Sequence, residues 1–129
     1  MEDSKEMAKV TLGIFSGLPN PEMILTEENI IKYAEMVKST VGKEDVYGPT
    51  PTKLGEFYGF MVIVSDDKAK ELGIPKLANI IKGVFADMTI HNEPKYWRDL
   101  SRIEQFLIGL AYENGFADLL KKVGVKRSE

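Results

Sequence analysis

The stretch EFYGFMVIVS, Glu56 to Ser65, carries apolar residues at both sets of alternating positions. Such a run is typical of a strand that is covered on both faces and lies in the interior of a sheet. Gly59 within the run indicates a bulge or a close approach by another backbone, because glycine has no Cβ. We predict that this segment is a central strand and that the neighbouring elements form around it.

A strand and a long helix are predicted before this segment. In residues 10–15, apolar side chains recur at every second position, which predicts the first strand. Thr26 is placed to cap the helix, and Leu25 and Ile30 have the spacing of a hydrophobic staple. Gly42 is suited to end this helix because glycine readily adopts a left-handed conformation.

Shorter elements follow the central strand, and one of them has more than one interpretation. Residues 66–72 predict a short helix. The stretch 78–90 is predicted to be one strand or two strands with a bend at Gly83, and a partly helical structure is the alternative. A second long helix comes next, for which Ser101 and Glu104 have the spacing of a capping box.

The predicted element order is β, α, β, β, α, α, in which the last helix is a short one over residues 116–123. This order predicts an α+β fold, with one sheet of about three or more strands and two main helices packed on it. We assign residues 9–124 to a single domain, between a charged arm over 1–8 and a tail over 125–129, because 129 residues suit one core. If the first two strands are parallel neighbours, the helix between them forms a right-handed crossover.

The composition disfavours several classes of function. The chain has no cysteine, which excludes disulfides, thiolate metal sites and cysteine nucleophiles. Its formal net charge of −3 disfavours nucleic-acid binding, which needs clustered Lys and Arg. No apolar run is long enough to cross a membrane and no signal peptide is recognisable, so we expect a cytoplasmic protein without a membrane partner. No phosphate-binding loop or two-histidine spacing is present, so we expect no cofactor and no metal.

The segment SGLPNPE, Ser16 to Glu22, predicts a rigid corner between the first strand and the first helix. Its two prolines fix their own backbone angles and restrict the residues before them. The backbone N–H groups of Ser16 and Gly17 are candidates to hold an anion, and Asn20 is a candidate to hydrogen-bond the neighbouring backbone. The alternative is that the corner only directs the helix onto the sheet.

Two further loops carry aromatic side chains beside prolines: YGPTPT, which begins at Tyr47, and PKYW, which ends at Trp97. Tyr and Trp commonly anchor interfaces, although these rings would equally fill a small core under the loops. Our first hypothesis is a non-enzymatic module that binds an unidentified protein or peptide partner. Its predicted contact residues are Ser16, Gly17, Asn20, Tyr47 and Trp97. An exposed edge strand would also allow pairing into a homodimer.

The second hypothesis is an acid/base enzyme or a small-molecule-binding protein with a pocket around His91. This is the only histidine of the chain, and Asp87 and Glu93 are near enough in sequence to orient it. Asp66 and Asp67 would join Asp87 if their strands were neighbours, although such a pair is more typical of a helix start. A lone histidine at a strand end is usually a surface residue, so we favour the first hypothesis.

Three motifs along the chain resemble those of a known family. Residues 16–21 read S-G-x-P-N-P after a strand, residues 57–60 read FYGF, and residues 99–107 read D-x-x-R-x-E-x-x-L. Together they resemble a family of small bacterial and archaeal proteins of uncharacterised activity. Position 23, where many members have Trp, is Met in this chain. The resemblance implies a shared fold over most of the chain and brings no activity with it.

Overall fold

The computed structural model describes residues 7–14, 20–49, 51, 56–90 and 92–125. Within them the chain forms one six-stranded sheet and four helices, which confirms the α+β class. None of the described helices is long and apolar enough to cross a membrane. In chain order the elements are β1 Ala8–Leu12, β2 Glu22–Ile24, α1 Glu27–Thr40, β3 Phe60–Val64, α2 Asp66–Leu72, β4 Leu77–Ile81, β5 Val84–Asp87, β6 Lys95–Arg98, α3 Ile103–Glu113 and α4 Ala117–Lys122.

The sheet has the order β2-β1-β3-β4-β5-β6, and each neighbouring pair is antiparallel. β1 and β3 are antiparallel neighbours, so the parallel pairing on which the right-handed crossover was conditional does not occur. β3 lies inside the sheet, as predicted. Gly59, with φ +106°, precedes it, and a Cβ there would lie 3.1 Å from the carbonyl oxygen of Ile80. This confirms that another backbone comes close to that glycine.

The helices contribute to a core on one face of the sheet. That core is formed by alternate strand residues and the apolar stripes of the helices, including Val10, Phe60, Val62, Ile80, Phe85, Ile30, Val37, Ile103, Leu107 and Leu120. On the opposite face, Ile63 of β3 is 41% exposed and its neighbour across β1, Ile24, is 48% exposed. The prediction that the central strand is covered on both faces was therefore wrong, because an antiparallel sheet can expose one face to water.

Two short strands were not predicted from the sequence. β2 begins at Glu22, the last residue of the SGLPNPE segment, and pairs with β1. β6 begins in the predicted PKYW loop and pairs with β5, so that Trp97 stands opposite Phe85. Each strand is too short to show a clear alternation, and both depend on a neighbouring strand for their hydrogen bonds.

The stretch 78–90 contains two strands, which resolves the alternatives left by the sequence. β4 and β5 form a hairpin around Lys82 and Gly83, whose φ angles are +52° and +77°. Positive φ at both central residues is the requirement of a two-residue type I′ turn. The predicted bend at Gly83 is thus confirmed, and the helical alternative was wrong.

The two long helices begin with different caps. The hydroxyl of Thr26 accepts a hydrogen bond of 3.1 Å from the backbone N–H of Asn29, which confirms the predicted cap of α1. The predicted Ser101–Glu104 box of α3 was wrong, because the carboxylate of Asp99 accepts from the N–H groups of Ile103 and Glu104 at 2.7 and 2.8 Å.

The side chain of Glu104 is used elsewhere. Its carboxylate accepts hydrogen bonds from the N–H groups of Gly83 and Lys82 at 3.0 and 3.3 Å. The first turn of α3 is thereby joined to the β4–β5 turn.

Substitution Asp99→Ala should lower the free energy of unfolding by about 1–2 kcal/mol, similar to the usual effect of removing a side chain that accepts from the first N–H groups of a helix. The reason is that two N–H groups at the start of α3 lose their acceptor. Urea unfolding followed by circular dichroism measures the change. Glu93→Ala, at an exposed carboxylate outside the helices, is the matched control. Equal stability of the two variants would contradict the assignment of this cap.

Candidate functional site

The described part of the SGLPNPE corner is held by hydrogen bonds to β1. The side-chain oxygen of Asn20 accepts from the N–H of Ile14 at 3.0 Å, and the carbonyl of Pro21 accepts from the N–H of Leu12 at 2.9 Å. The side chain of Asn20 was predicted to bond the neighbouring backbone, and it instead bonds the backbone of Ile14, six positions earlier. Ser16 and Gly17, the proposed anion-binding residues, lie outside the described residues.

The two aromatic loops approach each other, but their rings have different environments. Residues 44–46 run beside β6, with an isolated bridge between Asp45 and Trp97. Tyr47, which follows, is 95% exposed. Trp97 is only 8% exposed, and its ring lies 6.4 Å from that of Phe85 in the core. The interpretation of these rings as core therefore holds for Trp97, and the ring of Tyr47 remains available for contact.

Asp87 is the residue of the second hypothesis that the structure places in a cavity. It ends β5 opposite Ala78, on the face of the sheet that the helices cover. One of its carboxylate oxygens accepts from the N–H of Thr89 at 2.9 Å. Glu93 is exposed and its carboxylate does not line this cavity. His91 lies outside the described residues.

A groove with a cavity volume of about 790 Å³ opens between α1, α2 and the end of β5. Its apolar lining includes Val37 and Val41 of α1, Ile74 after α2, and Ile90 after β5. This volume falls in the range of pockets that hold small organic molecules. We call it the α1–α2 groove.

Tyr33 is a buried polar residue that is influenced by the charge of Asp87 but does not line the groove. Its side chain is fully buried on α1, one turn before Val37, and its hydroxyl has no hydrogen-bond partner among the described residues. Burial, and to a smaller extent the negative charge of Asp87, raise the pKa of Tyr33 above its usual range. Its spacing from Ile30 and Val37 places it on the buried stripe of α1, which the sequence could have shown. Its lack of a partner could not be predicted from that spacing.

Three lysines and two aspartates contribute charge to the α1–α2 groove. Lys76 pairs with Asp66 at 2.7 Å, and this hydrogen bond and the charge of the lysine lower the pKa of the Asp66 carboxyl. Asp66 and Asp87 thus line one groove, although the negative charge of Asp66 is compensated by Lys76. Asp66 is also the first residue of α2. Among the described residues, no group of three or more acidic or histidine side chains is arranged to hold a metal ion.

No family model, curated protein or solved structure matches this chain. The resemblance of its three motifs to a family of small bacterial and archaeal proteins therefore stays a prediction.

The alkaline stability of the protein should report the buried hydroxyl of Tyr33. Above a pH of about 10, the usual pKa of tyrosine, the unfolded chain loses this proton while the folded chain keeps it. Because only the folded chain then holds the proton, the free energy of unfolding falls as the pH rises above this value, whereas below it this group causes no change with pH. We expect the unfolding free energy of wild type to fall relative to that of Tyr33→Phe between pH 8 and 11.

Urea unfolding at a series of pH values measures this difference. At neutral pH the Tyr33→Phe variant should be as stable as wild type or more stable, because it lacks an unpaired buried hydroxyl. A difference between the two proteins that stays constant up to pH 11 would contradict the environment assigned to Tyr33.

Proposed function

We propose that this protein binds a small organic molecule in the α1–α2 groove, as a binding protein rather than as an enzyme. The observation that carries this proposal is the groove itself, a cavity of about 790 Å³ with an apolar lining and the carboxylate of Asp87 among its walls. Tyr33 is fully buried and does not line this groove, although Asp87 influences its pKa.

The carboxylate of Asp87 would accept a hydrogen bond from a donor group of the ligand. The apolar lining provided by Val37, Val41 and Ile90 would cover the rest of such a molecule. Polar recognition at one end and apolar contact along the remainder are the usual features of a small-molecule site.

The surroundings of Tyr33 and Asp87 support binding rather than catalysis. The hydroxyl of Tyr33 is buried without a partner among the described residues, and its raised pKa makes it a weaker acid than an ordinary tyrosine. Asp87 is oriented by the N–H of Thr89 and has the role of an acceptor. Neither group has the partner that would activate it as a nucleophile within the described residues.

A screen of small apolar compounds by nuclear magnetic resonance tests this function. Compounds that bind should shift the amide signals of Gly73, Thr89 and Ile90, which line the groove or its rim. The variant Ile90→Arg should lose this binding, because a charged side chain replaces an apolar wall. Leu100→Arg is the matched control, since Leu100 is 50% exposed, Ile90 is 55% exposed, and Leu100 lies outside the groove. Equal loss in both variants, or shifts confined to other surfaces, would overturn the proposal.

A second candidate function is the binding of a protein or peptide partner, and the exposed ring of Tyr47 is the observation that favours it. The first hypothesis combined this ring with Trp97, which the structure buries, so the proposal now rests on Tyr47 and the Asn20 corner. Wild type should retain a specific partner, and the Tyr47→Ala variant should lose it. The control is Ile31→Ala, which shortens a different exposed side chain and should retain the partner. Retention that is independent of Tyr47 would exclude this surface.

A further inference from the structure

We propose that the ligand of the α1–α2 groove is an amphipathic organic anion, whose acidic group is held between Lys38 and Lys70. This inference rests on the proposed small-molecule function and names the chemical class of its ligand. It depends on where these two lysines lie and on which charges of the groove are already paired.

The two lysines come from opposite walls of the groove. Lys38 lies in the last turn of α1 and its stem crosses toward α2, so that its Cε is 3.8 Å from the position that a Cβ on Gly73 would take. Lys70 lies in the last turn of α2, one turn before that glycine. Both residues line the groove. An acidic group near Gly73 would therefore be within the reach of an ammonium group from each helix.

Neither of these two lysines is held by a direct ion pair within the described residues. Asp66 is engaged by Lys76 at 2.7 Å and is close enough to Lys70 for that charge to lower its pKa further, whereas neither Lys38 nor Lys70 forms an ion pair with any residue in the described part of the chain. Two cations without a direct ion pair thus stand beside the apolar lining of the groove. They complement a ligand that is negative at one end and apolar along its body.

Asp87 fixes the orientation of such a ligand. Its negative charge would repel an acidic group, and the resulting preference directs that group toward Lys38 and Lys70. The apolar body then lies along Val37 and Val41, and a hydroxyl on the body would donate a hydrogen bond to Asp87. A cationic ligand would have the opposite preference, because Asp87 would attract it while the two lysines repel it.

Three molecules with the same aliphatic chain and different end groups test this inference: octanoate, octan-1-ol and octylamine. Titration of the wild-type protein, followed by the amide signals of Gly73 and Ile90, should show that octanoate binds most tightly and octylamine most weakly. The double variant Lys38→Gln/Lys70→Gln should bind octanoate about five-fold more weakly, the expected effect of losing two exposed ion pairs. It should bind octan-1-ol as wild type does.

The control is Lys43→Gln, which removes an exposed charge just beyond α1 and outside the groove. It should leave the affinity for octanoate unchanged, and added salt should weaken octanoate binding to wild type more than to the double variant. Equal affinity for the three molecules would overturn the anion proposal while the groove remains a binding site. Tightest binding of octylamine would overturn it as well, in favour of Asp87. If none of the three binds, the proposed function fails together with this inference.

Discussion

The alternation of side chains along β5 determines on which face of the sheet the carboxylate of Asp87 lies. Phe85 is fully buried against the helices, and a strand directs every second side chain to the same face. Asp87, two residues later, must therefore face the helices too, although it is a carboxylate. Because it is the last residue of the strand, it reaches the end of the helix layer, where the groove keeps one side of it open. The polar end of the candidate site thus follows from the burial of an apolar neighbour.

Long side chains between α1 and α2 shape the remainder of the site. The ammonium group of Lys68 on α2 meets Glu27, at the start of α1, at 2.9 Å, and this hydrogen bond raises the pKa of the lysine. At the other end of α1, Lys38 extends toward Gly73, which ends α2 with a φ of +69°. α2 is therefore held against the beginning of α1. The space beside the C-terminal end of α2 is bordered by the aliphatic parts of lysine side chains. Apolar residues such as Val41 form the walls of that space.

Most local signals in the sequence were reliable, and features that depend on partners distant in sequence were not. The cap at Thr26 and the bend at Gly83 are set by residues a few positions apart, and both were predicted. The Ser101–Glu104 spacing was the local signal that misled, because Asp99 accepts from the first N–H groups of α3 instead. β2 and β6 exist because neighbouring strands pair with them, which no local pattern records.

Of the candidate site, the sequence identified Asp87 through its nearness to His91. It missed Lys38 and Lys70, which are brought to the groove by the packing of α1 and α2, and it missed the buried hydroxyl of Tyr33.

The hydroxyl of Tyr33 lowers the stability of the folded state. Phenylalanine would fill the same space on α1, whereas the hydroxyl is a polar atom that finds no partner among the described residues. Asp87 raises the pKa of this hydroxyl in addition to the effect of burial, so the two groups are coupled through charge rather than through a hydrogen bond. Because Tyr33 is fully buried and only Asp87 lines the groove, a molecule in the groove would meet the carboxylate and not the hydroxyl.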